Sequence, residues 1–268
     1  MALITISRGS FSGGKLLAEC LARKLNYRCI DRDVVAQKTS IRSVSPDEIM
    51  AALDTPPANA LSTLNHRKYV YLALIQAAIV EEVSAGNAVY HGLAGHLLLQ
   101  GGLSMLRLRV IAPMEFRINE ARARMTLSRE EAIAYIEKVD IHRGKWTRYL
   151  YGVDWEDPSL YDLVINLQHI SVEQAWRLVA GMVKEGGFEV DAKKQALWDA
   201  FVLATRVRAA LAKDAMTSNL EVNVTSSAGE VTIKGELCEE NEEVQRVAMA
   251  VRGVRAVHFE EPCLANPA

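Results

Sequence analysis

Cysteine is scarce in this chain and falls in no pattern. Its four cysteines, Cys20, Cys29, Cys238 and Cys263, form no CxxC pair and have no histidine at ligand spacing. That excludes a cysteine-built metal module and argues against a disulfide framework, so free thiols are expected, with Cys20 and Cys29 in the core. A surplus of either charge is also missing: 31 basic against 33 acidic residues give a net charge of −2 and a pI near 6.3. Nothing in this balance favours a nucleic-acid backbone or an anionic membrane as the main partner. The longest apolar segment, Tyr69 to Val80, is interrupted by Gln76 and is too short to span a bilayer; it reads as a buried helix. A basic leader with a cleavage site is absent before the first apolar strand, so the reading is a cytoplasmic chain. Half of the residues are apolar, which excludes disorder and fits one large domain or two small ones.

The most informative stretch runs from Ile4 to Ala18, where a short apolar strand enters a loop of small residues and leaves as a helix. Gly9, four residues, then Gly14 and Lys15 fit the phosphate-loop pattern, with Leu16 where Ser or Thr ordinarily follows the Lys. Small residues let successive backbone N–H groups turn inward around an anion. The helix that follows aims its positive end at the same point, and Lys15 adds a full charge. Gly9, Ser10, Phe11, Ser12, Gly13, Gly14, Lys15 and Leu16 are therefore the candidate nucleotide-binding residues.

Further along, Tyr27 to Ile30 reads as a second strand ending at Asp31 and Arg32. In open parallel sheets ligands sit at that edge, so either Asp31 or Arg32 faces a substrate or Asp31 or Asp33 caps the segment that begins at Val34. Ser45 and Pro46 open a small helical insertion. A long helix from about His66 to Ala85 precedes a strand over 88–91 and a loop over 92–96, and a strand from Leu106 to Ala112 follows. Two helices come next, Glu115 to Met125 and Ser128 to Lys145, the second opened by a Ser128/Glu131 capping box. Asp140, His142, Arg143, Lys145 and Arg148 cluster at its end. Such a run is either a solvated face or a mobile lid that brings cations over a transferred phosphate. A fifth strand over 161–166 and a helix from Ser171 to Lys184 close this part, and Gly186-Gly187 marks a break. Beyond it the pattern becomes helix, strand, strand, helix, strand, a small α+β unit whose Leu220, Val222 and Val224 alternate with polar residues.

Taken in order, Ile6-Ser7-Arg8 with Ser12-Gly13-Gly14, Asp31-Arg32, Gly92, Ala112-Pro113 with Glu115 and Arg117, Asp140 with Arg143 and Tyr149, and Tyr161 to Asn166 resemble the cytidylate kinase-like family of P-loop nucleoside monophosphate kinases. The final unit resembles a BON domain. The resemblance implies an α/β fold, a P-loop parallel sheet flanked by helices with a helical lid, over residues 1–187, and a BON-like α+β domain over 192–262. It implies transfer of the γ-phosphoryl group of ATP, with Mg²⁺, to CMP, dCMP or another small acceptor. Lys15, Asp140, Arg143 and Arg148 would be catalytic, with Asp31, Arg32, Gly92 and Arg117 on the acceptor side and no protein-built metal centre. Two departures stand out: Leu93 follows Gly92 where the family usually carries Arg, and His91 ends the third strand where many P-loop enzymes place a carboxylate. The alternative is a nucleotide-binding regulatory protein whose BON-like domain takes a ligand or partner.

Overall fold

The computed structural model describes residues 2–31, 34–35, 63–92, 94–99, 105–188, 190–235 and 241–260. Arg32, Leu93 and the insertion opened by Ser45 and Pro46 lie outside the described residues. A five-stranded parallel sheet carries the first part of the chain, in the order β2-β3-β1-β4-β5. Its strands are β1 (Leu3–Arg8), β2 (Arg28–Ile30), β3 (Ala88–His91), β4 (Met105–Ile111) and β5 (Leu163–Asn166). β1 is central because it reads Leu-Ile-Thr-Ile-Ser and is buried on both faces, as a strand between helical layers must be.

The helices are α1 (Gly14–Leu25), α2 (Thr63–Ser84), the single-turn α3 (Gly95–Leu98), α4 (Met114–Met125), α5 (Arg129–Tyr151) and α6 (Val172–Glu185). On one face of the sheet, α1 buries Leu17, Ala18 and Leu21 and α6 buries Ala175 and Val179 against Ile4, Ile6 and Val89. On the other face, α2 packs Tyr71, Ile75 and Ile79 over Leu3, Ala88 and Tyr90, joined by Trp146 from α5. The alternation of β1 decides this division: Ile4 and Ile6 go one way, Leu3 the other. Between them α4 and α5 form a hairpin with a small core of its own, Ile118, Ala121, Ala132 and Ile136.

The C-terminal part begins with α7 (Ala192–Lys213), followed by β6 (Asn223–Ser227), β7 (Glu230–Lys234), α8 (Asn241–Met249) and β8 (Ala256–Glu260). β6 and β7 are antiparallel, and β8 runs parallel to β7 on its other side. Ala228 and Gly229, at φ 49° and 88°, supply the two left-handed residues that a tight hairpin requires. Val207 and Leu211 of α7 and Val244, Val247 and Ala248 of α8 bury the sheet's inner face. No described helix is long and apolar enough to cross a membrane.

Local boundaries differ from the sequence reading in four places. The second lid helix continues past Lys145 to Tyr151, because Gly144 leaves room for the Trp155 indole and the left-handed stop comes only at Gly152, φ 65°. The loop after β3 contains the short helix α3. β5 starts at Leu163, since Tyr161 turns inward and the Asp162 carboxylate accepts from the Arg107 backbone N–H at 2.8 Å, standing in for a ladder bond. The first strand of the C-terminal sheet starts at Asn223.

Candidate phosphate-binding site

The loop between β1 and α1 lies at the carboxyl edge of the sheet, where the strand directions leave a crevice. Gly13 takes φ 83°, and a Cβ there would come within 2.7 Å of the Leu167 side chain. A Cβ on Gly14 would lie 2.7 Å from that of Arg8, so the loop closes onto the strand end only with glycine at both positions. Ser12 is buried and its hydroxyl donates to the Val110 carbonyl at 3.0 Å, fixing the loop to β4. No side chain caps α1. Its first-turn N–H groups, on Gly14, Lys15 and Leu16, therefore open toward the loop, as an anion site needs. The Lys15 ammonium lies 3.8 Å from Glu19, one turn along, and is 42% exposed. An exposed i,i+4 pair of this kind is weak and leaves the Lys available to a stronger anion.

The hairpin grips this loop from above. The Asp140 carboxylate accepts from the Ser10 backbone N–H at 3.1 Å and from its hydroxyl at 3.0 Å. The same carboxylate pairs with Arg117, whose Nε donates to the Ser10 carbonyl at 2.7 Å. Arg143 donates to the Arg8 carbonyl at 2.9 Å and lies 3.7 Å from Asp140. Gly9 is the residue that allows this approach, since a Cβ there would lie 3.4 Å from the Arg117 guanidinium. Phe11, held at φ 59°, sends its ring against the hairpin core and to within 5.9 Å of the Tyr135 ring. Residues 8 to 11 are thus held from one side by two cations, a carboxylate and an aromatic ring, while the helix end faces the other.

Arg117, Asp140 and Arg143 are brought together at the loop. Arg148 is not: it is 72% exposed and pairs with Asp154 at 3.1 Å near the far end of α5. Asp31 stands at the end of β2, where one carboxylate oxygen accepts from the Val34 N–H at 2.9 Å; the capping role is realised. Gly92 follows β3, and a Cβ there would lie 2.6 Å from the Tyr90 hydroxyl oxygen. Leu16 is exposed and offers no oxygen to a cation. Among the described residues no group of three or more His, Cys, Asp or Glu could hold a metal ion.

Two histidines are buried here, His91, which the sequence marked as a departure at the strand end, and His96, to which it gave no role. His91, at the end of β3, is 3% exposed, and neither ring nitrogen has a hydrogen-bond partner among the described residues. Burial pushes its pKa down to about 4, assisted by Arg8 and Lys15 and opposed by Asp31. The His96 ring packs tilted against Tyr161, 4.8 Å between centres, and the Tyr161 hydroxyl lies 3.1 Å from the Ser7 hydroxyl and donates to the Trp155 carbonyl at 2.7 Å. Arg109, nearly fully buried, donates to the same Trp155 carbonyl at 2.7 Å, pairs with Glu156 at 3.1 Å, and lies over the Trp155 ring. The available signal for Arg109 was a cation within a parallel strand that must be buried on both faces. On the other face Cys29 is half-buried, with its thiol raised to about 11 by burial first and then by Glu19 and Asp31. Cys20 is buried and both described thiols are free.

A parallel sheet with a glycine-rich loop after its central strand, an uncapped helix behind that loop and a basic helical hairpin over it defines a P-loop kinase-like α/β protein. Residues 3–169 match the cytidylate kinase-like family, and the chain belongs to it. Residues 199–260 match the BON domain. Cytidylate kinase of Sulfolobus acidocaldarius is 35% identical over 185 residues, 67% of this chain and 93% of that protein. Cytidylate kinase of Staphylothermus marinus is 29% identical over 108 residues; that match takes in 39% of this chain and only 59% of the relative's length. Among solved structures, an uncharacterized protein from Eubacterium ventriosum superposes with a TM-score of 0.53 at 16% identity, covering 69% of this chain and all of the other.

Proposed function

We propose that the chain is an ATP-dependent phosphotransferase that moves the γ-phosphoryl group to CMP, dCMP or another small acceptor. The observation that carries this reading is the uncapped α1 N-terminus, set behind a loop that needs glycine at 13 and 14 and is followed by Lys15. In the reaction the first-turn N–H groups and Lys15 hold the donor's phosphates. Arg117 and Arg143 stand at the rim of the same loop, where small shifts of their guanidinium groups meet charge developing on the transferred phosphoryl. Because this chemistry depends on position and electrostatics, no covalent intermediate on the protein is required. Mg²⁺, when bound with the nucleotide, neutralises charge on the phosphate oxygens. Asp31, at the end of β2, is a carboxylate that would suit such a hard cation, which in kinases takes one or two carboxylates together with phosphates and water. ATP and Mg²⁺ are both plentiful in a cytoplasmic setting, which belongs to this reading.

A second reading rests on Leu93, where the family usually carries Arg, and on His91: a nucleotide-binding regulatory protein with little turnover, its BON domain taking a ligand or partner. Transfer from labelled ATP with Mg²⁺ to CMP, dCMP, UMP, AMP and a panel of small hydroxylated metabolites separates the two. A labelled product that falls at least 100-fold in Lys15→Ala is expected. Nucleotide binding that depends on Lys15, without product from any acceptor, selects the regulatory reading.

A further inference from the structure

Among the described residues nothing bonds to the buried His91 ring, which lies at the carboxyl edge of the sheet. Strand alternation puts Ala88 and Tyr90 on the α2 face of the sheet and Val89 on the α1 face, so His91 projects with Val89 toward α1. It is the last residue of β3 and is in register with Ile6 of β1, two residues before Arg8. Helix α1 runs back from the carboxyl edge, so its first turn, with Lys15, lies over the same end of β3. The charges that His91 feels are those of Arg8, Asp31 and Lys15, one from each element that meets at this edge.

A buried imidazole has one N–H to donate and one nitrogen to accept, and leaving both unmet carries a desolvation cost with nothing to offset it. Apolar side chains of similar size would fill this strand end without that cost. Retaining the imidazole beside two cations and the open end of a helix makes sense when an oxyanion arrives to take its N–H. We propose that the His91 imidazole donates a hydrogen bond to a phosphate oxygen bound at the β1–α1 loop, and so is a phosphate-contacting residue of this site. The phosphate belongs either to the donor polyphosphate or to a monophosphate acceptor seated beside it. The inference rests on the loop binding phosphate at all.

The test uses the full chain and four probes: inorganic tripolyphosphate, ATP, CMP and inorganic phosphate. His91→Val keeps a β-branched strand residue and removes the donor, while His91→Asn restores an N–H. With a melting temperature no lower than that of the unaltered protein, His91→Val should weaken at least one probe by roughly 10-fold or more, the worth of one charge-assisted hydrogen bond. His91→Asn should recover most of that loss. Weakening confined to tripolyphosphate and ATP assigns the contact to the donor; weakening confined to CMP and inorganic phosphate assigns it to the acceptor. In protein labelled with ¹⁵N-histidine, one of the six histidines should shift its ring nitrogens on adding the affected probe, and that signal should be absent from His91→Val. Equal binding by His91→Val and the unaltered protein, with Lys15→Ala still defective, overturns the inference and leaves the phosphate loop standing. Failure of every probe to bind the unaltered protein overturns both. A nitrogen coupling to Mn²⁺ in the Mn²⁺–ATP complex that vanishes in His91→Val also overturns it, because the ring is then a metal ligand.

Discussion

His96 shows what a single buried ring contributes in this fold. It is held neutral by burial and by the neighbouring charges of Arg107 and Arg109, with its pKa lowered from 6.5 to about 4. In the unfolded chain the same ring takes up a proton near pH 6.5, so between pH 6.5 and 4 the unfolded state binds more protons than the folded one. The stability this implies is fully present above pH 6.5 and is lost as the pH falls toward 4. The expected loss from this group between pH 7.5 and 5 is about 2 kcal/mol. Thermal melts across that range should show it, and His96→Phe, which keeps a ring against Tyr161, should flatten the slope by that amount. A slope unchanged in His96→Phe would mean that other groups set the pH dependence. His96 was not legible in the sequence. A lone histidine near a strand end has no local signal, and its environment comes from Tyr161 and Arg109, residues distant in the chain.

At the scale of elements, the decisive contact is between the α4–α5 hairpin and the phosphate loop. Asp140 ties Ser10, Arg117 and Arg143 into one cluster. Removing a part-buried carboxylate leaves two cations and two loop donors short of a partner, which costs roughly 2–3 kcal/mol. Asp140→Ala should therefore lower the melting temperature by roughly 4–12 °C. It should also weaken ATP binding about 10-fold, since the shape of residues 8 to 10 no longer has its outer support. Calorimetric melts with nucleotide titrations check both; an intact ATP affinity would show that the loop holds its shape without the hairpin. The loop itself was readable, because glycine spacing, Lys15 and the strand-to-helix switch are all local. The Asp140 cluster reads as either a solvated face or a lid over the phosphate, and its contact with the loop was not legible: Ser10 and Asp140 are 130 positions apart, and no periodicity links them. Phe11 reads as a member of the phosphate loop; that its ring packs into the hairpin core was not legible, since a phenylalanine in a turn carries no local sign of what receives it. The helix boundary at Tyr151 was missed for the opposite reason. The charged residues from Asp140 to Arg148 read as the helix's end, whereas the left-handed stop comes at Gly152.

Across the whole molecule, α7 belongs to two cores. Trp198 and Val202 lie in the same buried cluster as Tyr71, Ile75 and Leu3 of the parallel sheet's α2 face. A turn or two later Val207 and Leu211 are packed under the C-terminal sheet. Tyr69 of α2 strengthens the junction, with its hydroxyl donating to the Val222 carbonyl and Arg208 lying over its ring at 5.5 Å. The helical spacing of Trp198, Phe201, Ala204, Val207 and Leu211 was legible, but one amphipathic pattern cannot tell whether a helix serves one core or hands its face from one to the next. The packing makes α7 a rigid bar of some 33 Å at 1.5 Å per residue, anchored at both ends. Damage at one end should then be felt at the other. Trp198 is 2% exposed, and Trp198→Ala should cost about 3–5 kcal/mol through lost burial and the cavity left behind. Hydrogen exchange of the β1 and β4 amides reports on the first core, and that of Val231 and Ile233 on the second. If α7 couples the cores, protection in β7 falls together with protection in β1 and β4 in the variant. Loss confined to the parallel sheet, with Val231 and Ile233 as slow as before, would mean that the C-terminal unit stands on its own core and that α7 connects the two without transmitting stability.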